Sequence, residues 1–383
     1  MRTPHRLLLL MAVVLLAVAP MMQGQATTGN IAGTVLASDG SALPGVTVEA
    51  IHVPTGTRYD AVSGSNGRYS IPNVRVGGPY RVSATLEGFR PAEVSNLQVG
   101  LGATAEVPLT MQLSTVSETI EVRAAADPII NPNRTGSTSE VAEAAIESLP
   151  TVNRSLQDFA RTNPYFVVDA QDFSSTRINV AGRNNRYNSI QIDGAVNNDL
   201  FGLADTGTPG GQTDAQPISL DAVQQLQLVV SPYDVRQGGF TGGGINAVTR
   251  SGTNDWSGSI FGSQRSPDLV GDGPFDQPIA DFDQDQYGGR LGGRLIRDKL
   301  FFFVHAETNK KTQPTGFSAD GSSGVTTSAS TTQLATQVRD LLIARYGYDP
   351  GTLGDFPAET NSDLAFLRFD WNVTSGNNLT LRH

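Results

Sequence analysis

The 383-residue chain contains no cysteine. That one absence removes a disulfide framework, a thiolate metal site and a cysteine nucleophile together, so stability has to come from packing and hydrogen-bonded ladders. Histidine is almost as scarce: His5, His52, His305 and His383 are the full set. None stands in the H-x-x-E or H-E-x-x-H spacing that seats a catalytic zinc. Basic charge is short as well. With 27 Lys and Arg against 37 Asp and Glu, for a net charge of -10, there is no clustered basic patch to neutralise phosphates, which argues against nucleic acid as a partner. G-x-S-x-G and G-K-[ST] are missing, so neither a nucleophile elbow nor a P-loop is available. Gly100 to Ala105, "GLGATA", fits G-x-G-x-x-A, but a strand is expected after it where a dinucleotide site needs a helix N-terminus. The chain is therefore not expected to be an enzyme, and no cofactor or metal is expected.

Long apolar runs are missing too, with one exception at the start. "MRTPHRLLLLMAVVLLAVAP" places Arg2, His5 and Arg6 ahead of an apolar run from Leu7 to Ala19, followed by small residues at Gly24 and Ala26. This is the pattern of a secretory signal peptide, residues 1–26, with cleavage expected after Ala26. The run is shorter than the roughly 20 apolar residues of a membrane anchor. The rest of the chain is expected outside the cytoplasm.

What is abundant is glycine, at 41 residues, together with Ser, Thr and Asn. Long helical patterns are few, and the length implies two to three domains of a β-dominated class. Residues 27–114 read as a β-sandwich of about seven short strands. "IAGTVLA", "GVTVEAIHV", "TRYDAVS", "GRYSIPNV", "PYRVSATLEGF" and "AEVPLTMQL" are separated by the turn stretches "SDGSALPG", "PTG", "SNG" and "VGGP". Alternation puts Val46, Val48 and Ala50 on one face, with Thr47, Glu49 and His52 largely on the other. Gly33, the Leu43-Pro44-Gly45 turn, Asn66-Gly67 followed by Tyr69, and Gly88-Phe89 make this segment resemble a carboxypeptidase-regulatory-like domain. The histidine inventory excludes the peptidase chemistry that name suggests.

Residues 115–127 hold a lone strand-forming segment, "VSETIEVRAAA". Residues 128–252 read as a small α+β domain. "SEVAEAAIESLP" and "NRSLQDFARTNP" look like short helices stopped by proline, with Asn153 as N-cap of the second. "TRINVAGRNNRYNSIQIDGA" reads as a hairpin and "ISLDAVQQLQLVVS" as a short helix turning into a strand. From residue 253 to residue 383 the alternation becomes cleaner. Tyr287, Leu291 and Leu295 oppose Arg290 and Arg294, and Ala365, Leu367, Phe369, Trp371 and Val373 oppose Arg368, Asp370 and Asn372. Short turns at "RDK" and "TSGNN" alternate with long connections, the rhythm of an outer-membrane barrel, whose inner turns are brief and outer loops extended. Trp371 and the run Phe301 to Phe303 are candidate interfacial aromatics. About five strands cannot close a barrel, so the segment reads as the start of one. The connection from Ser266 to Asp285 is acidic, with Asp268, Asp272, Asp276, Asp281, Asp283 and Asp285, yet it lacks EF-hand spacing. "TTQLATQVRDLLIARYG" reads as a helix with Gly347 as C-cap.

Taken in order, these parts resemble a TonB-dependent outer-membrane receptor with an N-terminal regulatory-like domain, of the Oar-like or SusC-like kind. The specific residues are "NVAGRNNRYNSIQIDGA" (Asn179 to Ala195) and "GGGINAVTRSGTN" (Gly242 to Asn254), which resemble two motifs of that family's plug. The resemblance marks Asn179, Gly182, Arg183, Asp193, Gly194, Gly243, Asn246 and Arg250 as plug-motif residues. "ETIEVRA" resembles the TonB box, with Glu118, Thr119, Ile120, Glu121 and Val122 as its core; an unpaired extended segment is a template for strand addition by a partner. Arg183, Arg186 and Arg250 are expected to pair with carboxylates of the barrel wall. The resemblance implies an outer-membrane protein of a Gram-negative-type cell, a barrel of about 22 strands, contact with outer-membrane lipid, and the TonB periplasmic domain as partner. It implies energised uptake of a large or scarce ligand, whether siderophore, cobalamin, oligosaccharide or peptide, and in its SusC-like form a SusD-like surface lipoprotein lid. A non-transporting surface protein for adhesion, envelope integrity or signalling is the alternative.

Overall fold

The computed structural model describes residues 27–114, 137–151, 153–168, 177–204, 206–211, 215–231, 238–270, 282–313, 318–319, 328–354, 357–374 and 377–383. The expected signal peptide and the segment Glu118 to Val122 lie outside the described residues.

The N-terminal unit is a sandwich of eight strands, one more than the sequence pattern suggested. They are β1 (Thr28–Ala37), β2 (Thr47–His52), β3 (Thr57–Val62), β4 (Arg68–Arg75), β5 (Gly77–Thr85), β6 (Ala92–Val99), β7 (Thr104–Glu106) and β8 (Leu109–Met111). One sheet runs β4-β1-β7 with β8 also on β1, and the other runs β3-β2-β5-β6. Alternation explains the core. Ile31 and Val35 from β1 meet Val48, Ala50, Tyr80 and Val82 from the facing sheet, all fully buried. His52 is a correction. Its even number places it with Val48 and Ala50, and it is buried against the Tyr80 ring at a centroid distance of 4.9 Å, not on the outer face with Thr47 and Glu49. Its Nδ1 bonds the Thr55 hydroxyl at 2.7 Å, and Thr55 bonds Thr57 at 2.7 Å, so the buried ring is half satisfied within its own turn.

The central unit holds β9 (Ser137–Val141), α1 (Glu143–Ser148), α2 (Leu156–Ala160), β10 (Phe166–Val168), β11 (Ile178–Val180), β12 (Ser189–Ile192), β13 (Ala195–Val196), β14 (Val223–Ser231) and β15 (Gly244–Thr249). Its main sheet has the order β13-β12-β15-β14-β9, and β10 pairs with β11 alone. Every residue of the middle strand β15 is buried, as expected for a strand covered on both faces. The expected hairpin across Ile178 to Ala195 is not formed. β11 goes to β10, while β12 pairs antiparallel with β13 and parallel with the distant β15. The tight turn that suggested a hairpin closes on itself, Val180 and Arg183 exchanging backbone bonds. The second helix is capped by Ser155, not Asn153. Ser155 and Asp158 form a reciprocal capping box.

The C-terminal unit is an antiparallel meander of β16 (Ser257–Arg265), β17 (Asp283–Ile296), β18 (Leu300–Gln313), β19 (Ala358–Thr374) and β20 (Asn377–Arg382), with α3 (Ala329–Tyr346) in the connection before β19. α3 ends at Gly347 in the left-handed region, φ 64°, as its C-cap requires. One face of this sheet is apolar and exposed: Ile260, Tyr287, Leu291, Leu295, Val304, Leu367, Trp371 and Val373. The other face lies on the central unit and buries Phe301, Phe303, His305, Glu307 and Asp370. Phe301 and Phe303 therefore turn inward, which removes them as interfacial aromatics. Phe302 faces the other way and meets Trp256 edge-on at 5.2 Å. Among the described residues, no helix is long and apolar enough to cross a membrane; β-strands are not tested by that criterion.

Candidate functional site

The resembling motif residues fall in two groups. Asp193, Gly194, Asn246 and Arg250 converge on one end of the central sheet, where the β12–β13 turn meets β15. Asp193 and Gly194 both have positive φ, 47° and 76°, which glycine tolerates and Asp adopts with help from local hydrogen bonds. The help is visible. The buried Asp193 carboxylate accepts from the Thr249 backbone N–H at 2.8 Å and its hydroxyl at 2.7 Å, and Gly194 N–H donates to the Asn246 side chain at 3.1 Å. Asn179, Gly182 and Arg183 sit apart from this group, on and after β11, and the Arg183 side chain is exposed. Gly243 joins the two. A Cβ there would lie 2.7 Å from both methyls of Val180 and 3.0 Å from the Phe166 ring, so only glycine lets β15 press onto the β10–β11 ribbon.

Arg250 does not reach the barrel wall. Its Nε donates to Val223 O at 3.0 Å, and its two terminal nitrogens bind Glu143 and Glu147 of α1 in its own unit. Arg186 is likewise exposed on the turn after β11. For Arg250 the expected pairing with wall carboxylates is not met, and most of the arginines that cross the seam stand on the C-terminal sheet. Arg290 Nη2 donates to Glu147 at 3.1 Å, Arg265 donates to Asn153 at 3.1 Å, Arg368 donates to the Thr249 carbonyl and hydroxyl at 2.9 and 2.8 Å, and Arg382 pairs with Asp193. Two contacts run the other way: Ser219 donates to Glu307, and the Arg154 guanidinium lies 4.0 Å over the Phe261 ring. The hydrogen bond from Arg290, reinforced by the charge of Arg250, holds the Glu147 carboxyl below its ordinary range. The seam also has an apolar part: Phe303 joins the core of the central unit, and Phe366 packs against it 6.2 Å from the Phe303 ring.

The sequence reasoning missed Thr249, Glu143, Glu147, Arg290, Arg368 and Arg382. Two signals were available. Glu143 and Glu147 stand four apart and so share one helix face, and the charged positions of β17 and β19 alternate on the inward face. Among the described residues no cluster of His, Asp or Glu could hold a metal ion.

Residues 30–113 match the model of the carboxypeptidase regulatory-like domain, and residues 248–358 match that of an outer membrane beta barrel domain. The TonB-dependent transporter Oar of Myxococcus xanthus is 27% identical over 296 residues, which cover 73% of this chain and 26% of that protein. The chain thus spans about a quarter of the length of this curated relative. Among solved structures, the siderophore receptor PirA from Acinetobacter baumannii aligns over 64% of this chain and 30% of its own at 18% identity and a TM-score of 0.43. The outer membrane transporter YddB from Escherichia coli aligns over 64% and 32% at 18% identity and a TM-score of 0.42. With a regulatory-like sandwich, a match to an outer-membrane barrel domain and this curated relative, the chain is an outer-membrane protein that resembles the TonB-dependent receptors of the Oar-like kind.

Proposed function

We propose that the chain is the N-terminal part of a TonB-dependent receptor that takes up a large or scarce ligand, such as a siderophore, cobalamin, oligosaccharide or peptide, with energy from the inner membrane. In this reading residues 1–26 are the signal peptide, 27–114 the regulatory-like sandwich, 115–127 the TonB-box linker, 128–252 the plug and 253–383 the start of the barrel. Glu118 to Val122 is the strand that the TonB periplasmic domain adds to its own sheet. The exposed apolar face of the C-terminal sheet meets outer-membrane lipid, and the ligand passes without covalent chemistry. A SusD-like lid belongs only to the SusC-like form.

One observation carries this reading: the central unit is seated on the C-terminal sheet through ion pairs and hydrogen bonds, with Arg290, Arg368 and Arg382 as donors. Polar contacts of this kind exchange for water at small net cost. Separating an apolar interface costs about 25 cal/mol per Å², so a plug seated on apolar surface would resist displacement. A polar seam suits a body that has to move and return.

Titration of the TonB periplasmic domain with a peptide covering Ser114 to Pro128 tests the reading. Saturable binding is expected, and Ile120→Pro should abolish it by removing a backbone donor that strand addition needs. Absence of binding to a folded cognate partner would sink it and favour a non-transporting surface protein.

A further inference from the structure

The sandwich docks on the same side of the C-terminal sheet as the short turn at 297–299. Pro54 O accepts from Asn254 N–H at 2.7 Å, and Asn372 donates to the Thr57 hydroxyl at 2.9 Å and to Asp298 O at 3.0 Å. Short turns mark the periplasmic rim of an outer-membrane barrel, so the sandwich sits under the plug, where it faces the exit.

At the centre of this contact is Asp370, a β19 carboxylate that is 1% exposed. It receives Arg368 from the wall in a bidentate pair at 2.9 and 2.9 Å, Thr380 from β20 at 2.8 Å, and Arg75 from the sandwich at 3.1 Å. Arg75 also donates to Ser251, just past the end of β15, at 3.1 Å, while Arg368 holds Thr249 on β15 itself. One buried carboxylate thus ties together sandwich, plug and wall. A second contact lies beside it. Val76 and Leu101 of the sandwich bury Val248 of β15 between them, and Gln227 of β14 donates to Leu101 O at 2.8 Å.

We propose that the sandwich is a clamp that keeps the plug seated, fastened to the barrel wall at Asp370 through Arg75. The plug's last strand is held between wall and sandwich, so it cannot leave the periplasmic side while the clamp is closed. This goes beyond uptake as such, and it rests on the reading of the central unit as a plug. The connection between β8 and β9, residues 112–136, joins clamp to plug, so a pull on Glu118 to Val122 acts on both at once and offers the means of release.

The clamp is tested with the full-length receptor in an outer membrane lacking functional TonB, by entry of vancomycin, a glycopeptide too large for ordinary porins. Arg75→Gln, at an unchanged amount in the membrane, should raise sensitivity roughly fivefold to tenfold, the shift in a local opening equilibrium expected when one partner of a buried carboxylate is lost. With any cysteine outside the present sequence replaced, adding Thr57→Cys and Asn372→Cys to that variant puts two thiols where the native side chains bond at 2.9 Å, for a disulfide cross-link between sandwich and wall formed by mild oxidation. Cross-linking should return sensitivity to the starting level. No rise in Arg75→Gln overturns the clamp, and so does a rise that the cross-link fails to reverse, because the plug would then have loosened by itself. The peptide titration separates the two readings: binding with no leak defeats the clamp alone, and a reversible leak without peptide binding defeats the reading of Glu118 to Val122 as a TonB box and leaves the clamp.

Discussion

The N-terminal sandwich and the C-terminal sheet are written in the same two-residue alternation and use it in opposite ways. In the sandwich the apolar positions Ile31, Val35, Val48 and Val82 face inward and are fully buried. In the C-terminal sheet Ile260, Leu291, Leu367 and Trp371 face outward, 92%, 43%, 40% and 47% exposed, while Asp370, Glu307 and His305 are buried on the inner face. Alternation specifies that a strand has two faces. Which one is inside depends on the solvent each face is built for, water for the sandwich and, in the function proposed above, lipid for the sheet.

That difference can be broken with a matched pair of changes. Ile31→Ala removes packing from a closed core and should cost the sandwich about 2–5 kcal/mol, read as a lower urea midpoint for its unfolding. Ile260→Lys should leave that midpoint unmoved, yet cost about 2–4 kcal/mol of insertion if the residue lies near the bilayer midplane, read as a smaller fraction folding into liposomes. An equal effect of Ile260→Lys in detergent-free water would mean that the exposed face is covered by protein and not by lipid.

Acid should separate the regions next. Burial pushes the His52 pKa down to about 3, with the positive charge of Arg75 acting in the same direction. Its folded value lies below its unfolded value near 6.5, so the unfolded chain binds the extra proton between those limits. The stabilising contribution is complete above about pH 6.5 and is lost progressively as pH falls towards 3, amounting to roughly 2–3 kcal/mol at pH 4.5. His52→Gln should flatten the sandwich's stability across that window. A wild-type midpoint that stays constant from pH 7 to about 4.5 would show that His52 is not held neutral.

The sandwich was the most legible part because its strands are short, local and separated by Gly and Pro turns. The error at His52 came from treating a histidine as polar and surface-bound, although its position shares parity with Val48 and Ala50. The central unit was legible as α+β but not in its pairing. β12 reaches β15 across more than fifty residues and β9 joins β14 across more than eighty, and nothing in a local pattern encodes such a partner. The seam was legible in chemistry and wrong in polarity. An arginine in a glycine-rich motif points to a partner outside its own unit, whereas the carboxylates Arg250 takes are Glu143 and Glu147 on α1. The charges that reach across were visible as the inward positions of β17 and β19.

The smallest expected effect tests how local the central unit's order is. Ser155 accepts from Asp158 N–H at 3.3 Å, and the Asp158 carboxylate returns the contact to Ser155 N–H at 3.4 Å and takes Asn153 N–H at 2.9 Å. The cap therefore fixes the loop that carries Arg154, which spans Asp221 at 2.6 Å and the Phe261 ring of the wall. Ser155→Ala should cost about 1 kcal/mol, the usual worth of an N-cap, measured as a lower unfolding midpoint of the central unit. Ser155→Asp, which restores an acceptor, should recover most of it. If the alanine variant also weakens the wall contact more than Phe261→Ala alone does, the cap positions the seam. If the two effects simply add, the helix and the seam are independent, and polar contacts at the wall can then open without disturbing the fold behind them.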